Sequence, residues 1–285
     1  MRSIVVVFVT LAALSCTKQK QTEINITNPS KIVLTQKPIT LERASIPIVE
    51  AGKYPLLMHD ADTIPNQLID SDKDGEWDQI FLVTDMAAEE TIHLHLTWID
   101  AQPSYPVRTN IRFGKRDAVD KPVQSKTSDT LYANQIIGKL GYQPYQTDGP
   151  SWENDKVGFR HYFDGRHAKD FFGKTKSYMS PDTVGVNKKG EVVDNYHVMA
   201  DWGRDVLGVG NSVGLGGINL MIGDSLSRIG CTVTDTTTNI EYSAFRIDTE
   251  GPVLSQFEIA HHNWKPLDNT YQVSETIRIW PGMYA

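Results

Sequence analysis

Thr91–Trp98 reads TIHLHLTW, and its alternation decides the fold class. Successive side chains of an extended chain point to opposite sides, so Ile92, Leu94, Leu96 and Trp98 share one face. Thr91, His93, His95 and Thr97 share the other. A helix would scatter the same apolar residues around its circumference. The period of two recurs in VRTNIRF, VGFRHYFD, VLSQFEIAHHNW and TYQVSETIRIW, with Gly, Pro, Asn and Asp between them. Many short alternating strands separated by turn residues predict an all-β protein, an antiparallel β-sandwich with few short helices. VNKKGEVV (Val186–Val193) predicts a hairpin around Lys189-Gly190. No repeat or low-complexity block interrupts the pattern, which predicts a single domain over residues 31–285.

One segment departs from it. Tyr196, Met199, Trp202, Val206 and Val209 recur at steps of three or four, which predicts a short helix over 196–209. His197, Asp201, Arg204 and Asp205 would then lie together on its polar side, where Asp201, one turn beyond His197, either orients the imidazole or shares with it a merely solvated helix face. Five glycines follow between Gly208 and Gly217. A phosphate-binding loop needs a strand before its glycines and a helix after them. The predicted order here is the reverse and no GK[ST] follows, so the glycines predict a chain turning back into the sheet.

The chain of 285 residues has 28 Lys and Arg against 35 Asp and Glu, a net charge of -7. No basic stripe is available to neutralise phosphates, which excludes nucleic acid as a partner. An anionic ligand would need a local cluster of Arg or His. The N-terminus, MRSIVVVFVTLAALSC, is an apolar run too short to span a bilayer, ending in Ser15-Cys16. It predicts a lipoprotein signal over 1–15, lipid on Cys16 and a polar tether over 16–30. The expected protein is exported and lipid-anchored, at the outer membrane or in the periplasm of a Gram-negative bacterium, with the lipid as its membrane contact. With Cys16 lipidated, Cys231 has no disulfide partner and reads as a small buried thiol.

Three stretches carry candidate chemistry. DSDKDGEWD places Asp70, Asp72, Asp74 and Asp78 at positions one, three, five and nine of a calcium loop, with Gly75 at six. Phe81 stands where the bidentate Glu would be, so the alternatives are a structural Ca2+ and a solvated hairpin turn. His93 and His95 have the spacing of two metal ligands, but a polar strand face explains them better. WENDKVGFRHYFDGRH (Trp152–His167) puts Arg160 and Tyr162 on one strand face and His161 on the other. The Arg could clamp a carboxylate, or simply pair with Glu153 or Asp155. Trp152 offers a sugar platform.

WENDKVGFRHYFDGR and DNYHVMADWGRDVLGVGNSVGLGGI, together with GPVLSQFEI and YQVSETIRIWPGMY, resemble a family of exported bacterial lipoproteins of polysaccharide-utilisation loci. The family is catalogued as a domain of unknown function of the 4861 type, and some of its members are described as ulvan oligosaccharide dehydratases. The resemblance runs from about Lys31 to the end. It implies a supersandwich like that of galactose mutarotases, with further strands beyond PGMY, so that this chain reads as truncated. It also implies a hydro-lyase that removes water from the terminal uronic acid of an anionic oligosaccharide, leaving a 4,5-unsaturated sugar, with no organic cofactor. Such a reaction needs a neutralised sugar carboxylate, a base at C5 and an acid at the C4 hydroxyl. The expected base is His197, oriented by Asp201. Arg160, with Arg166 and Asn154, is the expected carboxylate clamp, and Tyr162 the acid. Tyr196 and His262 are alternates, and Arg204 is expected to shape the pocket. A non-catalytic carbohydrate-binding lipoprotein and a chain-cleaving polysaccharide lyase remain the alternatives.

Overall fold

The computed structural model describes residues 21–284, together with the backbone of 6–10. Cys16 lies outside the described residues. Antiparallel sheets make up nearly all of the regular structure, as the alternation requires, and the single α-helix among the described residues is the short Ile137–Leu140.

Contacts divide the chain into two compact units. The alternation gave no sign of this division, but the boundary has a visible signal. AQPSYPV, ending at Val107, carries two prolines and no regular structure. The first unit runs up to Val107 and includes the returning segments Gly251–Leu254 and Trp280–Gly282. Its five-stranded sheet has the order Val6–Thr10, Thr22–Thr27, Thr91–Ile99, Tyr54–His59, Asp62–Ile64. A three-stranded sheet of Leu34–Glu42, Gln79–Met86 and Asn66–Ile69 shares its core, in which Ile92, Leu94, Leu96 and Trp98 meet Ile39, Leu41, Ile80 and Leu82. The outward residues behave as a polar face: His93 Nδ1 is 2.6 Å from Asn25 Oδ1. The tether expectation fails over Thr22–Thr27, which is a strand with Ile24 and Ile26 buried. TEINIT alternates like the rest, and its polar flanks disguised it.

The second unit is a sandwich of two antiparallel sheets. One has the order Gly203–Asp205, Lys169–Lys174, Val157–His161, Ser151–Asn154, Thr109–Arg112. The other has Ser128–Tyr132, Tyr242–Glu250, Ser255–Trp264, Tyr271–Ile279. Between them Ile111, Phe113, Trp152, Phe163, Phe245, Phe257 and Ile259 form one apolar cluster. Each such ring or branched chain stabilises by about 1.5–3 kcal/mol when fully buried. The hairpin around Lys189-Gly190 forms, with Val186 bridged to Val192 and Gly190 at φ 79°.

The helix predicted over 196–209 does not form. Gly203–Asp205 is a strand paired to Phe172–Lys174, and Ala200 and Gly203 exchange backbone hydrogen bonds around a two-residue turn at Asp201-Trp202. Gly203 sits at φ 136°, and a Cβ there would come 1.9 Å from the Gly173 carbonyl oxygen. Strand and turn together imitate a step of three or four. Met199 and Val206, which a helix would bury, are exposed.

Candidate functional site

Arg160 and His161 are neighbours on Val157–His161 and point to opposite faces of its sheet. Each is the centre of a buried polar cluster, the first on the outer face and the second inside the sandwich.

On the outer face Arg160 is 0% exposed. Register places Asp170 opposite it. Nε donates to Asp170 Oδ1 at 2.9 Å and Nη2 to Asp170 Oδ2. Nη2 also donates to Asp205 Oδ2 at 2.8 Å, and Nη1 to Asp148 Oδ2 at 3.3 Å. Tyr162 donates its hydroxyl to Asp170 at 2.8 Å, and its ring lies between the Arg160 and Arg166 guanidinium carbons at 4.3 and 3.9 Å. Tyr196 donates towards Asp194 at 3.1 Å and Asp148 at 3.3 Å. Arg166 binds Asp164 through Nε and Nη2. Carboxylates outnumber guanidiniums, and burial raises the pKa of Asp148 and of Asp205 despite Arg160.

The cluster meets solvent at His197, whose side chain is 54% exposed and whose Nδ1 is 3.4 Å from Asp205 Oδ2. Its ring lies 4.7 Å from that of Tyr196. Arg166 and Asp148 reach the same surface with side chains 22% and 19% exposed. Nη1 of Arg166 has no hydrogen-bond partner among the described residues.

Several expected roles are corrected by this geometry. Arg160 cannot clamp a substrate carboxylate, because its fork is already filled by three protein carboxylates. Its partner is neither Glu153, which binds Lys174, nor Asp155, which binds Arg108. Asp201 does not orient His197. It accepts from Tyr178 instead, and Asp205 takes its place. Tyr162 is buried with its proton held by Asp170, so it is shut off from a substrate. Asn154 is fully buried and used in turns, donating to the Met283 carbonyl and accepting from the Lys156 and Val157 amides. Arg204 points away from its neighbour Asp205, to the opposite face of the strand, and is exposed. His262 stacks on Tyr242 at 4.2 Å, on the outer face of the other sheet, across the sandwich from His197. Trp152 is a core ring, 5.6 Å from Phe159 and 4.8 Å from Phe257. Its edge lines a cavity of about 350 Å³ with Phe159, Leu215, Arg278 and Met283.

Sequence reasoning missed Asp148, Asp164, Asp170 and Asp194. The turn dipeptide Asp164-Gly165 was the available signal for one of them, since a hairpin folded there brings Asp170 opposite Arg160.

On the inner face a chain of hydrogen bonds joins both sheets. His161 Nε2 lies 3.0 Å from His167 Nδ1, and His167 Nε2 lies 3.1 Å from Ser243 Oγ. Ser243 Oγ is 2.9 Å from His261 Nδ1, and His261 Nε2 is 3.2 Å from Glu275 Oε1. Lys169 Nζ closes on Glu275 Oε2 at 2.7 Å. All three histidines are buried, and burial holds His161 and His167 well below the usual imidazole value. His261 is lowered by the same cause against the pull of Glu275. Glu275 is lowered although burial opposes it, through its bonds to His261 and Lys169. The alternation puts His161 on the face opposite Arg160, and nothing local links it to His261. Asp148 and His167 both hold left-handed backbone, at φ 61° and 51°, so each cluster contains a strained position.

In the first unit, Asp70, Asp72 and Asp78 bring one carboxylate oxygen each within 4.8 Å of the others, while Asp74 stands outside the group. Their carboxylates accept backbone amides within the loop, as from Gly75 to Asp70 at 2.9 Å. Phe81, at the twelfth position, is buried. Cys231 is buried as expected, and burial pushes its thiol up to about 11.

No match to this chain is found among curated proteins or among solved structures. One family model matches, over residues 26–285, and covers both units. The chain belongs to the family described as domain of unknown function DUF4861.

Proposed function

We propose that the chain is a carbohydrate-active hydro-lyase that removes water from the terminal uronic acid of an ulvan-type oligosaccharide. The observation that carries this reading is the line His197, Asp205, Arg160. A solvent-facing imidazole rests on a carboxylate that a buried guanidinium holds in place. A carboxylate behind an imidazole fixes its tautomer and orients the ring, as a base at C5 requires. Arg166, through its uncommitted Nη1, is the group for the sugar carboxylate. Asp148 is the acid, because burial favours its protonated form and its side chain reaches solvent. His197 takes the C5 proton, the electron pair forms the C4–C5 double bond, and the C4 hydroxyl leaves as water with a proton from Asp148.

The test is incubation of the purified chain with uronate-terminated ulvan oligosaccharides. The expected result is a mass lower by one water, an unchanged number of sugars and a new ultraviolet band from the enol ether. His197→Ala should lower the rate by about 10²–10⁴-fold, the usual contribution of a positioned base. Undiminished dehydration in that variant removes His197 from the mechanism. Shortened oligomers would point to a chain-cleaving lyase. Binding without any mass change would favour a carbohydrate-binding protein, a reading to which the cavity beside Trp152 and Phe159 lends itself. Export and lipid anchoring at Cys16 belong to the same proposal, and Cys16→Ser should release the protein from the membrane fraction.

A further inference from the structure

We infer that His161, His167 and His261 form a binding site for one transition-metal dication of the zinc class, separate from the surface at His197. One nitrogen of each ring lies within 4.8 Å of the other two. The three come from a strand, the turn that follows it and a strand of the facing sheet, so a bound ion would join the two layers. Zn–N bonds of about 2.1 Å bring ligand nitrogens to roughly 3.4 Å from one another, so the rings need close by only an ångström or so.

As hydrogen bonds alone the cluster does not close. Glu275 accepts from His261 Nε2, which leaves Nδ1 of that ring bare to receive the Ser243 hydroxyl hydrogen. Ser243 then accepts from His167 Nε2, and the bare Nδ1 of His167 accepts from His161 Nε2. The series ends at His161 Nδ1, a fully buried nitrogen with no hydrogen-bond partner among the described residues. An orphaned buried nitrogen calls for an explanation, and a bound ion that redistributes the hydrogens of the cluster supplies one.

The surroundings are those of a metal centre. Glu275 on Nε2 of His261 turns Nδ1 towards the cluster, and Lys169 fixes Glu275 in turn, an arrangement of carboxylate, imidazole and ion that orients ligands elsewhere. Ligand imidazoles must be neutral, and burial favours that form in all three. Ser243 Oγ, beside both His167 and His261, offers an oxygen for the fourth position. Three nitrogens and one oxygen select zinc or cobalt over calcium or magnesium.

The experiment uses the full chain, stripped with a chelator and titrated with cobalt(II). One equivalent should bind with the intense visible bands of a four-coordinate ion, and zinc should displace it and raise the melting temperature. An all-oxygen loop such as Asp70–Asp78 would give only weak octahedral bands, so the two sites are separable by spectrum. His167→Ala and His261→Ala should abolish the bands. Because either variant could fail to fold, Glu275→Gln serves as the second arm, keeping the side-chain shape and weakening affinity about 10–100-fold. His93→Ala, on an exposed strand face, should leave the titration unchanged. Absence of the bands together with absence of a zinc-dependent melting shift in the unaltered chain overturns the site, as do bands that persist in both histidine variants.

Discussion

Arg160 and His161 are adjacent in the chain and 0% exposed, yet they anchor opposite kinds of polar interior. The Arg160 cluster is dense in charge, with Asp148, Asp170 and Asp205 around one guanidinium, and opens to solvent through His197. The His161 cluster is nearly neutral and sealed between sheets. The difference teaches that a single strand can set up both by alternation alone. What separates them is whether the facing layer is a loop that admits water or a second sheet that excludes it.

Removing the guanidinium should break the comparison most severely. Arg160→Met strands three carboxylates in a buried place, and loss of one partner from a buried ion pair costs about 3–5 kcal/mol. Urea unfolding would measure it, and a loss under 1 kcal/mol would mean that water reaches the cluster. His167→Gln should cost less, about 1–3 kcal/mol, by breaking one buried hydrogen-bond chain without stranding a charge.

Acid separates the two clusters by sign. Asp148 and Asp205 have raised folded values. Their contribution is present below the unfolded carboxylate value near 4 and is lost as pH rises through the folded ones. The three histidines are depressed. Theirs is present above the unfolded value of about 6.5 and is lost as pH falls towards and through the folded ones. Between about pH 7 and 5 the unaltered chain should therefore lose stability through the inner cluster, partly offset by the outer one. The loss should shrink in His167→Gln, and urea midpoints at the two pH values check it.

Calcium offers a smaller contrast, between charge that is buried and charge that is solvated. If Asp70, Asp72 and Asp78 hold the ion, calcium at five times its Kd should stabilise by about 1 kcal/mol, from RT ln(1 + [L]/Kd). Asp72→Asn should remove the effect in a thermal melt. Least of all, His197→Ala should change stability by no more than about 0.5 kcal/mol, as for other exposed substitutions. A larger loss would show that the imidazole is a structural member of the Arg160 cluster.

The sandwich was legible because period two is a local property. TIHLHLTW becomes a strand with Ile92, Leu94, Leu96 and Trp98 inside, as written. Local reasoning failed where a turn and a strand of three residues imitated helical spacing at 196–209, and where TEINIT was hidden by polar neighbours. Arg160, Tyr162, Arg166, Tyr196 and His197 do come together, so the residue types that mark the site were readable. Their roles were not, since Asp170 and Asp205 reach Arg160 only through strand pairing. His161 and His261 meet only when two sheets close, which no spacing along the chain encodes.

The five-glycine stretch answers a mechanical question. Lys169 exchanges backbone bonds with Val213 and Leu215, its Nζ lies 3.3 Å from the Gly216 carbonyl, and a Cβ on Gly214 would come 1.8 Å from the Lys169 carbonyl oxygen. Lys169 is also the cation that balances Glu275. Lys169 is itself paired to His161 in the sheet, so the loop is pinned to a residue that stays with the strand. The glycines thus let the loop lie flat against the strand that carries the ion pair of Lys169 with Glu275.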